Sequence, residues 1–211
     1  MRFERKYRVS GKTLSALQQM IKFHPAGFRV HHPVRQVNNI YFDTPALSAL
    51  NQNVYGVRER KKFRLRWYGD DPATIHKARL EVKIKESELG RKDIFDFPDT
   101  HLSSLTAITA DVNRLLYPQA RLEPVLLSSY CRAYYISADR KFRLTIDYDM
   151  RYHSLRLSPS FHGYYVNDPQ LVIEIKYNEA DDKAVEFITQ HIPFRQEKHS
   201  KYVSGVFMTN R

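Results

Sequence analysis

Hydrophobic and polar residues alternate strictly through Arg79-Leu80-Glu81-Val82-Lys83-Ile84-Lys85, so that Leu80, Val82 and Ile84 share one face of a strand and Glu81, Lys83 and Lys85 the other. The same charged alternation recurs at Glu4/Lys6, Arg64/Arg66 and Glu174/Lys176, each time interleaved with apolar or aromatic residues. A single Glu-x-Lys on a strand is most often a solvated ion pair worth less than about 1 kcal/mol. Repetition on several strands points instead to one charged interior, with the apolar faces turned outward under helices.

Eight stretches read as strands: 3–9, 37–42, 63–68, 79–85, 125–136, 142–148, 152–157 and 171–177. Residues 63–68 and 79–85 form a hairpin, and 90–96 extends that sheet. Helical spacing over 14–23 follows a cap at Ser10. Asp43-Thr44-Pro45 is a turn that caps a short helix with Leu47 and Leu50, and 51–62 is a polar, basic connection. Leu105, Ile108, Val112, Leu115 and Leu116 predict an amphipathic helix over 104–117, with further helices over 181–191 and 198–206 and a loop over 159–168. The expected fold is α+β: an eight-stranded antiparallel tunnel barrel with a charged interior and flanking helices, built as a single domain over 1–211.

Pointing the charged faces inward gathers Lys6, Arg8, Arg64, Arg66, Lys83, Lys85, Arg132, Arg143 and Lys176 against Glu4, Glu81, Asp147 and Glu174. Two like charges about 4 Å apart repel by roughly 4 kcal/mol at an effective dielectric near 20, so this cationic excess calls for a polyanion such as a triphosphate or a longer polyphosphate. The net charge of +11 agrees with a polyanionic partner, which by charge alone could be nucleic acid, an anionic membrane surface or a phosphate-rich ligand. One cysteine, Cys131, excludes an internal disulfide and a cysteine metal site, and with no apolar run of membrane-spanning length the chain reads as cytoplasmic. The nine histidines show no ligand spacing. Phe63–Tyr68 partly fits a nucleic-acid surface, but its arginines share one face and its aromatics lie on the other or at the strand ends, so no specific nucleic acid is expected.

Glu4-Arg5-Lys6-Tyr7, Asn39-Ile40-Tyr41-Phe42-Asp43-Thr44, Arg64-Leu65-Arg66, Glu81-Val82-Lys83, Glu174-Ile175-Lys176 and Lys198-His199-Ser200-Lys201-Tyr202 together resemble the VTC domain, the polyphosphate polymerase branch of the CYTH-like triphosphate tunnel metalloenzymes. The resemblance implies a phosphotransferase that takes ATP or another triphosphate, extends inorganic polyphosphate and uses Mn²⁺ or Mg²⁺. By it, Arg64, Arg66, Lys83, Arg132, Arg143, Lys198 and Lys201 would grip phosphates, together with Lys6, Arg8, Lys85 and Lys176. Tyr130 would line the pocket, and Glu174, with Glu4, would hold the metal. A membrane-associated partner and the oligomeric state stay open. Hydrolytic members of the superfamily open on Glu-x-Glu-x-Lys, whereas this first strand carries Glu4, Lys6 and Arg8. That departure favours a polymerase over a triphosphatase, with a non-catalytic polyphosphate or inositol-polyphosphate binding module as a further alternative.

Overall fold

The alternating stretches do form strands, and antiparallel pairing aligns their like faces. In the computed structural model, which describes residues 2–86, 89–159 and 165–210, the elements run in the order β1 (Arg2–Val9), α1 (Leu14–Lys22), β2 (Arg29–Asp43), α2 (Ser48–Val54), β3 (Glu59–Tyr68), β4 (Thr74–Ile75), β5 (Arg79–Glu86), β6 (Leu89–Asp96), β7 (Thr100–His101), α3 (Leu105–Leu116), β8 (Glu123–Ile136), β9 (Arg143–Ser154), β10 (Val166–Asp168), β11 (Leu171–Asn178), α4 (Val185–Thr189) and α5 (Lys201–Thr209). No helix among the described residues is long and apolar enough to cross a membrane. Residues 160–164 of the expected 159–168 loop lie outside the described residues.

Two compact units result. The first comprises 1–35, 130–150 and 168–199, the second 36–129, 151–167 and 200–211. In the first unit the strand order is β1-β11-β9-β8. Its apolar face, with Tyr7, Val9, Ile173, Ile175, Leu144 and Ile146, packs against Leu17 and Ile21 of α1 and Val185 and Ile188 of α4. The helix that carries Leu17 and Ile21 is capped by Thr13, whose hydroxyl accepts from the Ala16 amide, and not by Ser10. In the second unit β8-β2-β3-β5-β6 are neighbours, and Ile40, Phe42, Leu65, Trp67 and Leu80 pack against Ile108 and Val112 of α3.

The expected eight-stranded closure is corrected by the observed pairing. Hydrogen-bonded neighbours follow β1-β11-β9-β8-β2-β3-β5-β6, with β10 on β9, making nine strands, and among the described residues no ladder joins β6 to β1. The stretches 142–148 and 152–157 prove to be mainly one strand, because the chain passes through Asp149 at a φ of 49° and continues to Ser154, while β6 and β10 add two strands. The outer edge of β1 is instead occupied by the backbone near residue 196, where Tyr7 bridges Gln196 and the Glu197 amide donates to Lys6 O at 2.9 Å. On β6, Arg91 and Asp93 pair at 3.1 Å, and such charged edges discourage further strand addition.

Gly205 marks the closest approach in the second unit. An added Cβ would sit 2.5 Å from Leu126 Cδ2 and 2.6 Å from Tyr152 Cδ1, and both neighbours are fully buried. Overpacking of about 1–3 kcal/mol therefore outweighs the roughly 1 kcal/mol helix-propensity gain of alanine. Gly205→Ala should lower the melting temperature by a few degrees, and an unchanged or higher one would refute this packing.

Candidate functional site

Register builds the charged face of the first unit row by row. Lys6 lies opposite Glu174 and Glu174 opposite Thr145; Glu4 lies opposite Lys176 and Lys176 opposite Arg143. Directly opposed residues share a face, so both carboxylates and these cations stand together. Lys6 Nζ is 3.0 Å from Glu4 Oε1 and 3.9 Å from Glu174 Oε2, and Lys176 Nζ is 2.6 Å from Glu174 Oε1. Burial alone would push the Glu174 carboxyl up, but Lys176, Lys6 and Arg132 hold it well below the usual carboxylate range. Burial would likewise lower Lys6, yet Glu174 and Glu4 raise it above its ordinary value.

Arg132 is held by a carboxylate of the same interior. Its Nε donates to Asp147 Oδ1 at 2.5 Å and its Nη2 to Oδ2 at 2.7 Å, with the guanidinium over the buried Tyr130 ring at 5.3 Å. Despite burial, Asp147 keeps it charged well above the ordinary range. Arg8 donates Nε to Gln170 Oε1 at 2.5 Å. Arg143 and Lys198 are exposed.

The second unit carries its own charged face. Arg66 stands between Asn39 and Arg79, Arg64 between Tyr41 and Glu81, and Lys62, Lys83 and Lys92 form a row across three strands, followed by Arg60 and Lys85. Nε and Nη2 of Arg64 both reach Glu81 Oε2 at 2.5 Å, and Lys92 Nζ reaches Oε1 at 3.0 Å. Arg66 Nε donates to Asn39 Oδ1 at 2.9 Å and Lys62 Nζ to Ser200 Oγ at 2.9 Å. Lys201, in the first turn of α5, is buried, Lys83 is exposed and Lys85 is half-buried. The register thus brings Arg64, Arg66, Lys83 and Lys85 onto one face, as their spacing implies. It adds Lys62 and Lys92, which sequence reading left in a solvated connection and an accessory strand. The signal for Lys62 was present, since 62, 64 and 66 alternate.

Burial opposes ionisation of Glu81, but Arg64, Arg66 and Lys92 bring its carboxyl down to about 2. A depressed carboxyl contributes stability that is complete above the unfolded value, near 4.5, and is lost as pH falls through about 2. The difference amounts to about 3 kcal/mol. Glu81→Gln should therefore flatten the acid limb of the stability curve between pH 5 and pH 2 in urea titrations, and an unaltered limb would contradict this pairing.

The donors around Glu174 suit a hard divalent cation. Glu4 and Glu174 offer carboxylate oxygens, and the buried Thr145 Oγ1, opposite Glu174, has no hydrogen-bond partner. Among the described residues no three or more His, Cys, Asp or Glu side chains cluster as a complete metal cage, so phosphate oxygens and water would have to finish the shell.

With this arrangement in view, solved structures of the same architecture can be placed beside it. A proposed adenylate cyclase from Vibrio parahaemolyticus superposes with a TM-score of 0.56 at 17% identity, covering 96% of this chain and 97% of its own. Another from Bacillus halodurans gives 0.57 at 18%, covering 95% and 94%. A proposed adenylyl cyclase from Hippeastrum, described as having a dominant triphosphatase activity, gives 0.57 at 15%, covering 99% and 97%. These likenesses show a shared fold, mostly antiparallel sheet with flanking helices. No curated protein matches the sequence. The family model of the VTC domain matches residues 1–210, and the chain belongs to that family.

Proposed function

We propose that this VTC domain is a metal-dependent polyphosphate polymerase that transfers the terminal phosphoryl group of ATP to a growing inorganic polyphosphate chain. The observation that carries the reading is the position of Lys6. Its ammonium lies between Glu4 and Glu174, where the hydrolytic pattern Glu-x-Glu-x-Lys would place a third carboxylate. A cation there attracts a phosphate oxygen as the attacking group and leaves fewer carboxylates for activating water.

Phosphoryl transfer needs positioning and positive charge, not a protein nucleophile. Arg64 and Arg66 face one way on β3 and can fork onto adjacent phosphates, with Lys83, Lys85 and Lys201 adding point charges. Lys6, Arg8, Arg143 and Lys176 supply charge in the first unit, with Tyr130 and Arg132 as its wall, and Lys198 extends the set. A terminal oxygen of the acceptor chain forms the new P–O bond as the bond from the γ-phosphorus to the ADP oxygen breaks, and ADP leaves with that electron pair. Glu174, with Glu4 and Thr145, would hold Mn²⁺ or Mg²⁺, which would supply positive charge to the phosphates.

Incubation with ATP and Mn²⁺, with products resolved on a gel, tests the reading directly. Long polymer is expected. Orthophosphate alone would support the triphosphatase reading, which the Hippeastrum protein's described activity keeps in second place, and no turnover would leave a binding module. Glu174→Gln keeps the shape and removes the charge. It should reduce metal-dependent turnover by about a hundredfold or more while triphosphate binding is largely kept, since the basic residues hold the phosphates. Full turnover at ordinary metal concentrations would remove Glu174 from the metal site.

A further inference from the structure

Around Arg143, which the proposed reaction uses, the first unit carries a cluster of side chains that it does not use. Arg29, His31, His32 and Arg35 come from the N-terminal half of β2, Tyr134 from β8, and Arg140 from the turn that precedes β9. The rings of His31 and His32 lie 4.0 Å apart, His32 meets the edge of Tyr134 at 5.7 Å, and the Arg35 guanidinium sits over the same Tyr134 ring at 5.8 Å. All four β2 residues, with Arg140 and Arg143, are exposed. The groups that act most strongly on His31 are His32, Arg143, Arg140 and Arg29. Partial desolvation and then those like charges hold His31 below the ordinary imidazole value.

Exposed cations repel one another, and a cluster of them is relieved by an anion. Guanidinium groups fork onto phosphate oxygens, and an imidazolium adds a donor and a charge only once protonated. We propose that His31, His32, Arg29, Arg140 and Arg143 form a binding site for consecutive phosphates of a phosphate chain, one that tightens as the solution becomes more acidic. The choice of a phosphate chain over other polyanions rests on the proposed function; the anion site itself rests on the cluster. Linkage fixes the sign: an anion bound beside His31 stabilises the imidazolium, raises its titration midpoint, and is itself held more tightly as pH falls below about 7.

The test is an NMR titration of the histidine C–H resonances of the whole chain, with and without saturating long-chain polyphosphate, whose internal phosphates stay ionised throughout. The His31 midpoint should rise by about one unit, equivalent to about tenfold tighter binding to the protonated form. His24 is the internal control, because its Nε2 bonds to Ile188 O at 2.9 Å and its Nδ1 accepts from the Ala26 amide at 3.0 Å, and its midpoint should stay put. The doubly substituted His31→Gln/His32→Gln protein should lose the acid-side gain in polyphosphate affinity while keeping ATP turnover with Mn²⁺. An unmoved His31, or a full pH dependence in the double variant, would overturn the site. An equal response to single-stranded RNA of matched charge would overturn its assignment to phosphate chains. Absence of turnover in the native protein bears on the polymerase reading and leaves the His31 titration as a separate result.

Discussion

Arg132→Ala should melt about 6–20 °C below the native protein. Asp147 has no exposed surface and receives two guanidinium hydrogen bonds from Arg132, so removing the arginine takes both charged hydrogen bonds from a buried carboxylate. Breaking one partner of such a pair costs about 3–5 kcal/mol, and for a chain of this size each kcal/mol moves the midpoint by about 2–4 °C. Arg132→Lys should recover little, since an ammonium cannot fork onto both oxygens. Replacing both partners with apolar residues of similar volume should recover most of the loss, because the desolvation of the pair disappears with it. Calorimetry of the three variants decides the matter, and an Arg132→Ala midpoint within a degree or two of native would mean the pair contributes nothing to the fold.

Arg66→Ala should weaken triphosphate binding by about a hundredfold with a smaller loss of stability than Arg64→Ala. Charged hydrogen bonds are worth about 1.5–3 kcal/mol, or roughly 10- to 150-fold in affinity. In the free protein Arg66 Nε donates to the neutral amide oxygen of Asn39, and its charge acts on Glu81 without the short hydrogen bonds that Arg64 makes. Arg64 differs, because it donates to the buried Glu81, and its removal leaves that carboxylate to Lys92. Arg64→Ala should therefore lose affinity and stability together, and pairing it with Glu81→Gln should restore stability without restoring affinity. Titration calorimetry and thermal melts on the same samples separate the two effects. Unchanged affinity in the Arg66 variant would remove this face from the proposed function.

The strand faces were legible because a period of two survives in short stretches such as 79–85 and 171–177, where every apolar residue is buried. Register follows from it: once Leu65 and Leu80 must share the core, Arg64 falls opposite Glu81. Three things were not legible. Residues 29–36 of β2 are mainly polar, include Pro33 and leave Val30 and Val34 exposed, so that no buried alternation announces them. Continuity of β9 through Asp149 depends on a left-handed backbone turn that an aspartate tolerates but does not advertise. The specific pairing of Arg132 with Asp147, fifteen residues away, was the third, because whether two same-face charges meet depends on the pairing of β8 and β9. The turn at Asp43 was anticipated, although the first residue before α2, Leu47, takes a φ of 54° and offers no side-chain cap, and Asp43 supplies it from a distance.

That single carboxylate accepts from the amides of Thr44 at 2.7 Å, Ala49 at 2.8 Å and Leu50 at 2.9 Å, and from the Tyr202 hydroxyl at 2.6 Å, while Tyr202 stacks on Tyr41 at 5.1 Å. The start of α2 and the first turn of α5, some 150 residues apart in the chain, therefore share one acceptor and should open as one cooperative segment. In hydrogen exchange, the amides of Ala49 and Leu50 would then report on the fraying of α5, the helix that carries Lys201.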